Sequence, residues 1–168
     1  MSRTIIGAAE IVLSVSDLPK MREFYVSVLG FPIHGEACST GEGVVDADSN
    51  SDSGFEATIT FLTISETDTP LGRNGHPQIL ALIDYRRHFL AKGRFDGHDV
   101  RRSTLNHLAF EILPGDYDSE FERLSELGLN PTKTVFANLN AKAIFFKDPE
   151  GNVLELICHD ADGLQQPD

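Results

Sequence analysis

Three residues with metal-binding side chains, Glu10, His107 and Glu155, each stand in a run of alternating apolar residues. Glu10 opens Glu10-Ile11-Val12-Leu13-Ser14-Val15, His107 opens His107-Leu108-Ala109-Phe110-Glu111-Ile112, and Glu155 is central in Asn152-Val153-Leu154-Glu155-Leu156-Ile157. That alternation is the period of a half-buried strand. A lone carboxylate in such a strand is costly unless neutralised or paired. Two carboxylates and one imidazole form a hard donor set suited to manganese(II) or iron(II). Taken singly, each residue has a plainer reading: a strand His is usually a hydrogen-bonded core residue, and a strand Glu usually faces solvent.

The elements that carry these residues repeat once along the chain, and internal repeats outrank local patterns as a guide to fold. Residues 10–15 align with 107–112, Phe24 with Phe121, Leu29-Gly30-Phe31 with Leu127-Gly128-Leu129, and residues 78–83 with 152–157. Glu10 and His107 are then equivalent on first strands, Ala81 and Glu155 on last strands. This agreement favours the metal reading over the plainer ones. Between the strands the sequence predicts a helix over 18–29, with Asp17 as N-cap, Pro19 in its first turn and Gly30 as its stop. A second helix is predicted over 117–127, with Asp116 as candidate cap and Gly128 as stop. Further strands are predicted over 56–64, 134–137, 143–147 and 152–158, with a turn at Asp148-Pro149-Glu150-Gly151.

The expected architecture is α+β: two βαβββ modules in one chain, forming a half-barrel pair around a central cleft. The first module spans 8–84, a basic connector 85–102, the second module 103–159, and a polar tail 160–168. The first module is longer than the second, and the excess is expected in acidic, turn-rich loops over 36–52 and 66–77.

With 168 residues the chain can bury a sizeable core without metal or disulfide, so a bound ion would serve function. Its net charge of −12 disfavours nucleic acid and anionic membrane as partners. The N-terminal apolar run is too short for a signal peptide, no run is long enough to span a membrane, and Cys38 and Cys158 form neither a disulfide framework nor a zinc spacing. A cytoplasmic protein is expected. The connector holds Arg86, Arg87, Lys92, Arg94, Arg101 and Arg102, six of the fourteen basic residues. It reads either as a solvated linker or as a flap that meets an anionic substrate. Tyr85, His88 and His98, in or beside it, are the candidate acid–base groups.

Glu10-Ile-Val-Leu-Ser-Val-Ser-Asp17-Leu18, Phe24-Tyr25, Leu29-Gly30-Phe31, Asn106-His107-Leu-Ala-Phe110 and Asp148-Pro149-Glu150-Gly151-Asn152-Val-Leu-Glu155-Leu156 together resemble the vicinal oxygen chelate superfamily. This is the glyoxalase, bleomycin-resistance protein and extradiol dioxygenase group, and the resemblance covers about residues 8–159. It implies one divalent ion, manganese or iron favoured and zinc, nickel or magnesium compatible, held by Glu10, His107 and Glu155. It also implies a small-molecule substrate that chelates the ion through adjacent oxygens. Ala81 stands where glyoxalase-type members have a fourth ligand that also serves as base, so Ala81→Glu is expected to tighten metal binding. Phe145 stands where ring-cleaving members have Tyr, and Asn138 near the place of their His; a Phe can neither donate a proton nor hydrogen-bond. The implied function is a metal-dependent lyase/isomerase or dioxygenase, with a metal-free, antibiotic-sequestering binding protein as the alternative. A cleft complete within one chain and a cleft shared across a homodimer both fit the repeat.

Overall fold

The computed structural model describes residues 10–40, 43–47, 57–65, 77–92, 105–136 and 139–159. It divides into two compact units, Met1–Arg102 and Ser103–Asp168. The fold is α+β, with a βαβββ module in each unit.

The first unit runs β1 (Glu10–Val15), α1 (Leu18–Ser27), β2 (Ile33–Thr40), β3 (Gly43–Asp46), β4 (Ile59–Ser65), β5 (Gln78–Asp84) and a short helix α2 (Phe89–Lys92). Its five strands are ordered β1-β5-β4-β2-β3, with β1 parallel to β5 and the other pairs antiparallel. Alternation in β1 buries Leu13 and Val15 and leaves Glu10 and Val12 exposed. Helix α1 starts where Asp17 accepts a hydrogen bond from the Lys20 backbone N–H at 3.1 Å, and it buries Leu18, Met21, Phe24 and Tyr25. It ends at Ser27, two residues short of the prediction, and Gly30 at φ +72 turns the chain away.

The acidic loop expected over 36–52 is corrected in part. Residues 33–40 and 43–46 form the hairpin β2–β3, with Ala37 opposite Asp46 and Thr40 opposite Gly43. Sequence composition misled because Glu36 is not solvated: its carboxylate accepts from Arg22 Nε of α1 at 2.7 Å and from Thr60 Oγ1 of β4 at 3.0 Å. A charge paired from both sides can sit within a sheet. The first module is thus βαβββ with β3 added at its edge. The expected loop over 66–77 lies almost wholly outside the described residues.

The second unit runs β6 (Leu108–Glu111), a 3₁₀ turn (Pro114–Asp116), α3 (Tyr117–Glu126), β7 (Thr132–Phe136), β8 (Ala141–Lys147) and β9 (Val153–His159). Its four strands are ordered β6-β9-β8-β7, the same arrangement as β1-β5-β4-β2. Helix α3 closes on a Schellman motif: Gly128 at φ +75 donates to the Ser125 carbonyl, and Leu129 donates to that of Leu124. Tyr117 and Leu124 are buried, as are Ile144, Phe146, Leu154, Leu156 and Cys158 on one face of the sheet. Period-2 alternation sends Phe145 and Glu155 to the other face. The hairpin between β8 and β9 is built on the buried Asp148, whose carboxylate accepts from the backbone N–H of Glu150 and Asn152 and from Asn152 Nδ2 at 2.7–3.0 Å.

Around the last strand of each module the register reproduces the repeat, and the sheets depart from it at bulges near Ile33 and Ser65 in the first unit. Val12 faces Ala81 as Ala109 faces Glu155, and Phe61 faces Ala81 as Phe145 faces Glu155.

The two helix starts differ: Asp116 makes no side-chain cap bond, and its backbone carbonyl instead accepts from Ser119 Oγ. Asp17→Ala should therefore cost about 1 kcal/mol of unfolding free energy. Asp116→Ala should stay within about 0.5 kcal/mol of the parent. Urea unfolding of both variants measures the contrast.

Candidate metal centre

His107 and Glu155 are brought together. Glu155 stands mid-strand in β9, an interior strand of its sheet, between Ala109 of β6 and Phe145 of β8. Its side chain is 5% exposed, and Oε2 lies 2.9 Å from His107 Nε2. The imidazole, just ahead of β6, is 36% exposed. It is fixed from two further sides. Nδ1 lies 2.7 Å from Asn106 Oδ1, and the ring meets Phe145 edge to face at 5.8 Å. Phe145 in turn meets Phe136 edge to face at 6.4 Å.

This arrangement has a defined donor chemistry. An imidazole whose Nδ1–H donates to Asn106 Oδ1 presents the Nε2 lone pair to Glu155. A lone pair and a carboxylate oxygen at 2.9 Å need a proton or a cation to reconcile them. Two ligand atoms at right angles, each roughly 2.1 Å from a divalent ion, lie about 3.0 Å apart. The pair therefore suits adjacent coordination positions as well as it suits a direct hydrogen bond. Among the described residues, no group of three or more His, Cys, Asp or Glu side chains is assembled as a metal site. Glu10 heads β1 in the first unit, exposed, on the face of that strand that also carries Val12 and Ser14.

The other singled-out residues are placed as follows. Tyr85 is half-buried against an aliphatic cluster of Ala37, Ile59, Ile79, Ala81, Ile83 and Ala91, together with Phe61, and its hydroxyl accepts from Arg86 Nε at 3.3 Å. His88 is 1% exposed and stacks on Phe89 at 5.3 Å; burial lowers its pKa below the usual imidazole value. His98 and Asn138 lie outside the described residues. Of the connector's basic residues, Arg87 is committed locally, with Nε 2.6 Å from Asp84 Oδ2 and Nη2 donating to the Ala57 carbonyl at 2.8 Å. The Arg86 guanidinium lies over the Tyr85 ring at 5.4 Å. Arg94, Arg101 and Arg102 are outside the described residues.

Sequence reasoning missed Asn106 as the residue that orients His107. The signal was present in the adjacent Asn106-His107 pair, but a neighbour along a strand points to the opposite face by default, and only the loop conformation ahead of β6 turns it to Nδ1. It also missed Phe136, which looks like any other strand aromatic until β7 is set in register with β8.

The chain matches the family model of the glyoxalase/bleomycin resistance protein/dioxygenase superfamily over residues 7–156. It belongs to that superfamily. Among solved structures it is similar to lactoylglutathione lyase from Agrobacterium tumefaciens, at 16% identity and TM-score 0.57, covering 96% of this chain and 100% of that one. It is also similar to the fosfomycin resistance protein FosX from Listeria monocytogenes, at 18% identity and TM-score 0.57, covering 92% and 94% of the two chains. A mutant of that protein, in complex with Mn(II) and 1S,2S-dihydroxypropylphosphonic acid, is 20% identical with a TM-score of 0.55 and coverage of 96% and 94%. At these identities the likeness is one of fold. No curated protein matches the chain. Among the described residues no helix is long and apolar enough to cross a membrane.

Two predictions come from the first unit. Ala81, the counterpart of Glu155, is fully buried in an aliphatic cluster, which revises the expectation for Ala81→Glu. The new carboxylate enters apolar surroundings, so the variant should lose roughly 3 kcal/mol or more of stability and gain no metal affinity. Urea unfolding alongside Mn(II) titration checks both halves. For His88, the unfolded chain takes up a proton that the buried imidazole resists, so its contribution to stability is present above about pH 6.5 and is lost as the pH falls below it. His88→Gln should flatten that part of the stability profile between about pH 7 and 5, measured by thermal melts across the range.

Proposed function

We propose that the protein is a metal-dependent enzyme acting on a small substrate that chelates a divalent ion through two adjacent oxygens, with lyase/isomerase or dioxygenase chemistry. The single observation that supports this most is the His107–Glu155 pair: a buried carboxylate 2.9 Å from an imidazole whose other nitrogen is engaged by Asn106. His107 and Glu155 are the metal ligands, and Glu10, the repeat counterpart of His107, is the third. Manganese(II) or iron(II) suits the oxygen-rich donor set best. When bound, the ion would supply Lewis-acid polarisation of the chelated oxygens.

The protein's own residues prepare that chemistry. Asn106 holds the imidazole in one tautomer and one orientation. The apolar neighbours of Glu155 keep water from its carboxylate, which strengthens its attraction for a cation. Phe145 packs edge to face with His107 and offers a hydrogen-bond-free wall. Proton transfer is assigned to the connector, with Tyr85, His88 and His98 as candidates. Phe145 leaves no hydroxyl in that wall to take part.

The test is elemental analysis of protein purified without chelator, followed by Mn(II) titration of variants. The parent should hold one divalent ion per chain. His107→Ala and Glu155→Ala should each abolish stoichiometric binding with the circular dichroism spectrum unchanged, because the core does not depend on the ion. Asn106→Ala should weaken binding by about tenfold. Full occupancy in both ligand variants would remove this ligand set. A parent that takes up no divalent ion yet binds small molecules would replace the enzyme with a metal-free binding module.

A further inference from the structure

The face of the second unit that carries Glu155 extends past the metal-binding pair into a pocket of about 410 Å³, lined by Leu129, Thr132, Phe145, Lys147 and Val153 among others. That volume suits a small organic molecule. Its place follows from the register. Phe145 is the direct partner of Glu155, and Lys147 the direct partner of Val153, two residues before Glu155 on the same strand. His107 and Lys147 therefore flank β9 from opposite sides, their backbones about 10 Å apart across two strand spacings. A molecule chelated at His107 and Glu155 can lie along Val153 and Phe145 and end at Lys147.

The charges of the unit single out that lysine. The second unit contains four basic residues besides histidine: Arg123, Lys133, Lys142 and Lys147. Arg123 is engaged by both carboxylate oxygens of Glu120, at 3.0 and 2.6 Å. Lys133 pairs with Asp118 at 2.6 Å and lies over the Phe121 ring at 4.5 Å. Lys142 lies over the Tyr117 ring at 4.3 Å, with the helix α3. Lys147 alone of the four shares the face of Glu155, and among the described residues it makes no ion pair. A lysine here, on a chain of net charge −12, is a local inversion of the surrounding field.

We infer that this pocket receives the part of the substrate remote from its chelating oxygens, and that this part is an apolar, ring-sized body ending in an anion held by Lys147. The inference rests on the proposed chelate site and adds the substrate class. Phe145 and Val153 supply the apolar floor, Leu129 and Thr132 the side, and the lysine ammonium the charged end, reached by a flexible arm that can meet a carboxylate, phosphonate or sulfonate alike.

The experiment uses Mn(II)-loaded full-length protein and three probes: catechol, 3-(3,4-dihydroxyphenyl)propionate and the neutral amide of that acid, each titrated by calorimetry. The acid should bind roughly fivefold more tightly than its amide, the size of advantage a solvent-facing charge pair confers, and the advantage should shrink as salt rises. Lys147→Gln should erase the difference between acid and amide while leaving catechol affinity and Mn(II) affinity as in the parent. Lys147→Glu should reverse the preference. Acid and amide bound equally by the parent, with catechol also bound, would overturn this inference and leave the chelate site standing. Catechol ignored by the Mn(II)-loaded parent would overturn the chelate site and this inference with it.

Discussion

A carboxylate in the middle of an apolar sheet sets the terms for the second unit. Glu155 lies on β9, which has a strand on each side, so its charge cannot escape to an edge. Leaving it unpaired would cost roughly 3–5 kcal/mol, a large share of the margin by which domains are stable but not all of it. The solution is local. His107 approaches from just ahead of β6, Asn106 fixes its ring, and Phe145 packs beside it. The parallel pairing of β6 with β9 is what makes this approach available, because it places the start of β6 beside the start of β9 on the face that Glu155 occupies.

The first unit has the same frame with different contents. At the place of Glu155 it has Ala81, and at that of Phe145 it has Phe61. Its face is closed by Ile59, Ile79, Ile83, Ala91 of α2 and Tyr85. One face of the repeat has thus become a hydrophobic core, and the equivalent face in the other unit has kept a paired ionisable group and an open pocket. Around Ala81 and Glu155 the backbone register is the same in both, so at this position the divergence lies in the side chains and in what covers them. An ionisable pair and an aliphatic cluster are alternative ways to satisfy the same sheet position, and each excludes the other because a charge cannot share a dry cluster.

The frame was legible in the sequence because it is written in periods. The alternation in residues 10–15 and 107–112, the cap at Asp17, the stops at Gly30 and Gly128, and the Asp148 turn are local signals with local causes, and the repeat turned them into a topology. The His107–Glu155 partnership was legible only through that repeat, since 48 residues separate the two along the chain and neither signals the other. What could not be read were features decided by tertiary partners. The hairpin β2–β3 looked like loop because the pairing of Glu36 with Arg22 and Thr60 has no trace in composition. The role of Asn106 depended on a loop conformation. The burial of Ala81 beneath Tyr85 and α2 depended on where the connector folds back.

The strand order has a kinetic meaning. In each unit the last strand to be made, β5 or β9, is the one inserted between the first and third strands of its βαβββ module, so β1 and β6 wait for a partner until nearly the whole unit has left the ribosome. Contacts between residues so distant in sequence form late and slowly, because the loop-closure entropy falls due before the pairing can repay it. Until β9 arrives, the apolar flanks of β6 and β8 stand open to any other strand, and the time spent in that state is when such a chain is most exposed to aggregation. Glu155 travels on that final strand, so the second unit forms its His107–Glu155 pair in the same step that completes its sheet.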